Sequence, residues 1–178
     1  MAYLKPEDKA ERILFVGLSQ AGKTSIIQVA FEGMHPEDTL DNQATVRFRT
    51  KRVPLEGHII SVIELGGQIP FIEESLTKYK ETIYSNLRTL IFVVDTSIPE
   101  LFENAQHYFK LACQNALEFN KDVQVIVLAH KIDLVAKEEV SHILQYLNEL
   151  FNLFTEFNTQ IYPTSIFDDT LFIILEEV

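Results

Sequence analysis

The run Gly17-Leu18-Ser19-Gln20-Ala21-Gly22-Lys23-Thr24 satisfies the spacing G-x-x-x-x-G-K-[ST]. Each fixed residue type has a physical task. The glycines let the backbone curl until successive N–H groups converge on one point, and a helix starting there adds its dipole. The Lys23 ammonium would neutralise β- and γ-phosphate oxygens, while the Thr24 hydroxyl, with Ser25 behind it, would stand at a Mg²⁺ ion. A chance turn is the ordinary alternative, and context decides against it. The apolar run Ile13–Val16 precedes the motif as a buried strand, and helical spacing follows through Ile26, Ile27, Ala30 and Phe31 until Gly33 and Pro36 break it. Strand, glycine loop and helix in that order predict a site for a triphosphate.

A second set of chemically able residues, His130-Lys131-Ile132-Asp133, follows the run Val123–Ala129. A carboxylate at Asp133 can accept from two adjacent donors, which matches the N1–H and N2–H₂ edge of guanine. Adenine presents an acceptor at N1 and would leave the carboxylate desolvated and unpaired. Sites built on such bonds discriminate by ~10⁴–10⁵. In isolation Asp133 reads as a helix cap; downstream of a phosphate loop, at a strand's carboxyl end, the base reading takes precedence.

For these residues to meet, the chain must build a sheet whose strands end together. Val46–Val53 alternates with Arg, Thr and Lys, the pattern of an edge strand with one wet face, and Ile59–Leu65 reads as its neighbour. Leu90–Val94 and Val123–Ala129 are aliphatic runs suited to strands buried on both faces, and Ile161–Tyr162 is a last short strand. Pro99 opens a helical pattern through Leu101, Phe102, Ala105, Phe109, Ala112 and Ala116. Another helix is expected from about Lys137 to Phe157, and an amphipathic one from about Asp168. Alternating strands and helices imply an α/β fold with right-handed parallel crossovers and helices on both faces. Ligands then bind at the carboxyl ends of the strands, so functional residues should sit just after each apolar run.

Composition narrows the class of ligand. The 178 residues are 47% hydrophobic with 6 Gly and 6 Pro, which excludes a disordered or collagen-like chain. They carry 15 Lys+Arg against 26 Asp+Glu, a net charge of −11, which disfavours a nucleic-acid binder that tracks phosphates. A small anion held by one loop is still compatible. The single cysteine, Cys113, forms neither an internal disulfide nor a Cys-rich zinc site, and suggests a reducing compartment. No apolar run reaches the ~18–20 residues of a membrane span, the N-terminus lacks an apolar signal core, Ala2 stands where myristoylation needs glycine, and no prenylation cysteine ends the chain. The expectation is one cytoplasmic domain over residues 1–178, without direct membrane insertion.

Taken in order, GLSQAGKT, ELGGQ, HKID and TSI resemble the motif set of the small GTPases over nearly the whole chain. His130 in HKID, the ending TSIFDDTLF and the long helix before it look most like the Rag/Gtr GTPases, and the wording GLxxAGKT also resembles the Arf group. The resemblance implies a P-loop NTPase fold of the Ras-like G-domain type: a mostly parallel sheet, one antiparallel edge strand and helices on both faces. It implies GTP/GDP as ligand and Mg²⁺ as cofactor. Glu64-Leu65-Gly66-Gly67 stands at the family's D-x-x-G, with Glu64 near the metal and the Gly67 N–H sensing the γ-phosphate. Glu in place of Asp is one methylene longer and could shift the metal. Gln68 falls where the family orients the attacking water. Thr45 is the candidate switch threonine at Mg²⁺, with Thr39 as competitor. Ser165 and Ile166 would set a loop against the base, and Ser165 can also cap a helix.

The same resemblance makes His130 a replacement for an asparagine that braces the phosphate loop, rather than an acid/base catalyst. Ser19 stands where many relatives carry glycine and could slow hydrolysis or obstruct an arginine supplied in trans. Arg47 and Arg49 alternate on a strand and read as solvated rather than as arginine fingers. Rag/Gtr proteins pair through a C-terminal roadblock-like domain, whereas this sequence ends just after its last helix. A related GTPase, a roadblock- or longin-type scaffold and an activating protein are therefore the expected partners. Two functions remain open: a slow GTPase switch, ordered by GTP around Thr45 and Gly67–Leu76, and a non-hydrolysing scaffold that binds GTP or GDP. A P-loop ATPase or kinase is the more distant alternative. The face Phe151, Phe154, Phe157 reads as core rather than as a docking surface.

Overall fold

A computed structural model of the chain describes residues 10–55, 58–152 and 159–175. Six strands form one sheet: β1 (Arg12–Val16), β2 (Phe48–Leu55), β3 (His58–Leu65), β4 (Leu87–Asp95), β5 (Gln124–His130) and β6 (Gln160–Thr164), in spatial order β2-β3-β1-β4-β5-β6. Only β2 runs antiparallel, at the edge. Among the described residues the α-helices are α1 (Lys23–Glu32), α2 (Ile69–Thr77), α3 (Lys80–Tyr84), α4 (Phe102–Phe119), α5 (Val140–Asn152) and α6 (Thr170–Leu175).

Strand alternation sends successive side chains to opposite faces. Leu14, Val16, Leu90 and Phe92 meet α2 to α5 in one buried cluster, and Ile13, Phe15, Ile91 and Val93 meet α1 and α6 in the other. The strands β1 and β4, apolar over Ile13–Val16 and Leu90–Val94, are thus the middle layer between two cores, as these aliphatic runs require. In the larger core Phe92 packs edge-on against Phe109 with ring centroids 5.3 Å apart, and Phe151 lies 4.9 Å from Phe109. Phe151 is fully buried, so its core assignment is correct. Phe154 and Phe157 lie outside the described residues, as does the end of the helix expected to reach Phe157.

Two expectations shift, and one stretch that carried none is helical. The edge strand begins at Phe48 rather than Val46, because Arg47 takes a left-handed backbone (φ +60°) that no strand continues through. The stretch after Gly67, without clear periodicity in sequence, holds α2 and α3. Pro70 is no breaker there: it sits in the first turn of α2, where the missing N–H would have no intrahelical partner anyway. Pro99 opens only a 3-10 turn over Pro99–Leu101, and α4 starts at Phe102.

Truncating the ring that joins α4, α5 and the sheet tests this core. Phe151→Ala should lower the unfolding free energy by about 3–5 kcal/mol in urea titration; a loss below about 1 kcal/mol would put that ring outside the core.

Candidate functional site

The carboxyl ends of β1, β3, β4, β5 and β6 converge at one edge of the sheet, and the residues just beyond them build the site. Gly17 to Gly22 curl from β1 into α1, with Gly22 in a left-handed conformation (φ +99°) at the helix entrance. The carbonyl side of the loop is held by two cations. Lys23 Nζ donates to Gly17 O (2.7 Å) and Leu18 O (2.9 Å), and Lys131 Nζ donates to Gln20 O (2.8 Å). In a planar trans peptide the N–H points opposite its carbonyl, so tethering these carbonyls turns the paired N–H groups the other way. Lys23 is buried, and burial pulls its pKa down to about 8, opposed by the Glu64 carboxylate. It remains mainly a cation at neutral pH.

Neighbouring strands brace the loop by close approach. A β-carbon on Gly22 would lie 2.5 Å from Cδ2 and 2.9 Å from Nε2 of His130. The Cδ2–Nε2 edge of the imidazole therefore abuts the helix entrance. Its Nδ1 shares a hydrogen bond with Thr164 Oγ1 at 3.0 Å, on the neighbouring strand in direct register. Burial, and then the Lys131 charge, push the His130 pKa down to about 4, so the ring is neutral and serves as a wedge. On the other side a β-carbon on Gly67 would come within 2.5 Å of the Leu18 carbonyl and the Ser19 nitrogen. Only glycine permits that contact between the ELGG turn and the phosphate loop.

Beyond β3, Glu64 meets the two threonines singled out in the sequence. Its Oε1 accepts a short hydrogen bond from Thr24 Oγ1 and one of 3.0 Å from Thr45 Oγ1, and the two hydroxyl oxygens are 3.4 Å apart. Thr39, the competitor, is buried in a 3-10 turn with its hydroxyl spent on Pro36 O (2.8 Å). Two hydroxyls at this separation, with a carboxylate alongside, suit the cis edge of ~3 Å in a small octahedral cation with ligands at 2.0–2.1 Å. Among the described residues no group of three His, Cys, Asp or Glu could hold a metal. A cation here would be completed by phosphate oxygens and water.

Gln68 is exposed at the entrance of α2, directly after Gly67, and its backbone carbonyl accepts from Phe71 and Ile72. Asp133 lies exposed in a short turn after Lys131, whose backbone is left-handed (φ +62°). Ser165 is buried and its Oγ accepts the Phe167 N–H at 3.0 Å, so it shapes the turn that carries Ile166. Arg47 and Arg49 are exposed; Arg47 lies before β2 rather than on it and pairs with Glu74 of α2 at 3.2 Å. Ser19, too, is exposed.

One residue escaped the sequence reading. Asp95 ends β4, opposite His130 in register, and its Oδ2 lies 2.5 Å from Lys131 Nζ while Oδ1 accepts from Ser97 N and Oγ. It aims the lysine at Gln20. The signal was present, since Asp95 is the first polar residue after the run Leu90–Val94.

A six-stranded sheet with one antiparallel edge, a G-x-x-x-x-G-K-T loop after β1 and the His130–Asp133 turn after β5 define a P-loop protein of the Ras-like G-domain class. The solved Arl6 (BBS3) small GTPase of Trypanosoma brucei with bound GppNp has this fold, at TM-score 0.67 and 21% identity over 94% of this chain and 96% of that one. The chain belongs to the Gtr1/RagA G protein family, whose conserved region matches residues 12–177. It is 29% identical over 167 residues to GTP-binding protein GTR1 of Saccharomyces cerevisiae, covering 91% of this chain and 54% of that protein. It is 28% identical over 164 residues to Ras-related GTP-binding protein A of Dictyostelium discoideum (90% and 54%). ADP-ribosylation factor-like protein 3 of Caenorhabditis elegans is 31% identical over 148 residues (83% and 74%), which matches the Arf-like wording of the phosphate loop. The chain spans about half the length of the Rag and Gtr relatives.

The lowered His130 pKa fixes the sign of one pH dependence. The unfolded chain binds a proton near pH 6.5 and the folded chain near 4, so folded stability falls as pH drops through that window. The His130 contribution amounts to at most about 3 kcal/mol by pH 4. Urea midpoints at pH 7 and pH 5 should diverge more for wild type than for His130→Asn; equal divergence would place a solvated ring there.

Proposed function

We propose that this chain is a guanine-nucleotide switch that binds GTP and GDP with Mg²⁺ and hydrolyses GTP slowly. The observation that carries the reading is the phosphate loop's carbonyl side pinned by Lys23 and Lys131, with Thr24 beside Thr45 and Glu64. The loop N–H groups, from Leu18 to Ser25, would cradle the phosphates, with Lys23 supplying charge. Asp133 would accept from the guanine edge, and His130, Lys131, Ser165 and Ile166 would hold the base pocket in shape. When bound, Mg²⁺ would neutralise charge on the β- and γ-phosphates. Thr24, Thr45 and Glu64 are the residues that would hold it.

Gln68 would orient the attacking water, a positioning role for an exposed side chain on a turn that Gly67 anchors against Ser19. The Gly67 N–H would sense the γ-phosphate and pass its presence to α2. Arg47 is engaged with Glu74 and Arg49 is solvent-exposed, so this reading assigns neither as an arginine finger. Intrinsic turnover is then on the order of 10⁻⁴–10⁻² s⁻¹. An activating protein, a related GTPase and a roadblock- or longin-type scaffold are the partners this reading calls for. No helix among the described residues is long and apolar enough to cross a membrane. Membrane recruitment would run through those partners.

The rival, a nucleotide-binding scaffold without hydrolysis, is favoured by the exposed Ser19 beside the Gly67 contact. Single-turnover phosphate release separates the two. Wild type should release phosphate slowly and Gln68→Leu at least about tenfold more slowly; no release from either protein would establish the scaffold.

A further inference from the structure

Glu64 does more than stand near a metal. One oxygen of its buried carboxylate accepts from both Thr24, on the phosphate loop, and Thr45, on the segment that leads into β2. We propose that Glu64 is a positioning residue that clasps the Thr45–Arg47 segment to the phosphate loop through protein atoms alone, so that closure of this segment does not depend wholly on Mg²⁺. The proposal rests on the reading of Thr24 and Thr45 as nucleotide-site residues, while the clasp itself is a contact between side chains.

Side-chain length makes the clasp possible. An aspartate on the same strand would pull its oxygens back by one C–C bond, ~1.5 Å, and stretch a 3.0 Å bond to Thr45 beyond the range of a direct hydrogen bond. Water would then have to bridge, and a hydrated cation would organise that water. With glutamate, two hydroxyls meet one charged acceptor directly, and hydrogen bonds to an ionised group are the stronger kind.

The clasped segment is also tied forward. The Gly66 N–H donates to Arg47 O at 2.6 Å, continuing the β2–β3 pairing, and Arg47 Nε reaches Glu74 of α2 at 3.2 Å. Gly67 meanwhile sits against Leu18 and Ser19. Phosphate loop, Thr45 segment and α2 therefore form one connected unit with Glu64 at its centre. The consequence is a division of labour in which the Thr45 segment stays closed under conditions that strip the metal.

Hydrogen exchange of amides 42–48, together with dissociation of mant-GDP, tests this in Mg²⁺ and in EDTA for wild type, Glu64→Asp and Thr45→Val. Wild type should lose no more than about threefold in amide protection when Mg²⁺ is removed. Each variant should lose about tenfold or more, the equivalent of one charge-assisted hydrogen bond. Mant-GDP release should accelerate on chelation to a greater extent in the variants. A merely structural glutamate would lower protection equally with and without Mg²⁺, and an equal chelation response in all three proteins overturns the proposal. Thr45→Val, which leaves the carboxylate in place, decides the matter if Glu64→Asp does not fold. Failure of wild type to bind mant-GDP would sink the nucleotide reading, while the exchange comparison would still decide the clasp.

Discussion

The structure depends on one constraint: the carbonyl groups of a tightly curled loop must be satisfied on the protein side if its N–H groups are to face a ligand. Lys23 and Lys131 meet that need at Gly17, Leu18 and Gln20. Asp95 fixes Lys131, and Asp95, His130 and Thr164 follow one another across the ends of β4, β5 and β6 in direct register. The sheet acts as a ruler that sets three polar residues in a row against the loop. Displacing any of these strands by one residue would turn its polar end toward the opposite face.

Local architecture also explains how an acidic protein can suit an acidic ligand. A net charge of −11 is a property of the surface, whereas the loop combines two lysines, a helix entrance and directed amides within a few ångströms. Burial makes this combination stronger, because fixed dipoles need no reorganisation and charges interact at lower dielectric. The cost appears at Lys23, where desolvation draws the pKa to about 8. It appears again at His130, which burial keeps neutral. At His130 burial favours the neutral ring the contact uses, whereas Lys23 stays mainly cationic in spite of its burial.

Much of this was legible in the sequence, and the gaps have physical reasons. The strands, α1, α4 and the phosphate loop announced themselves through aliphatic runs and fixed spacing, because burial on two faces leaves little freedom of composition. The structure sets Thr45 rather than Thr39 beside Thr24, a placement that spacing could not decide. The distinction comes from a 3-10 turn that spends the Thr39 hydroxyl on Pro36. Helices α2 and α3 have no clear apolar periodicity to announce them, and Pro70 is tolerated in the first turn of α2, where its missing N–H has no intrahelical partner. The start of β2 was misplaced by the left-handed backbone at Arg47, which side-chain alternation does not reveal. Asp95 was overlooked although it obeys the same rule that located Asp133. The brace of His130 on Gly22 is a tertiary contact between residues 108 positions apart, beyond the reach of local pattern.

Direct comparison of nucleotides tests the central claim, that this loop and the turn after β5 together select a guanine nucleotide. Thermal unfolding in Mg²⁺ should shift upward by several degrees with GDP at ~100 times its dissociation constant, as mass action requires. The same concentration of ADP should leave the midpoint unmoved. Equal shifts with both nucleotides would deny Asp133 its role against the base, and no shift with either would contradict the account of the loop itself.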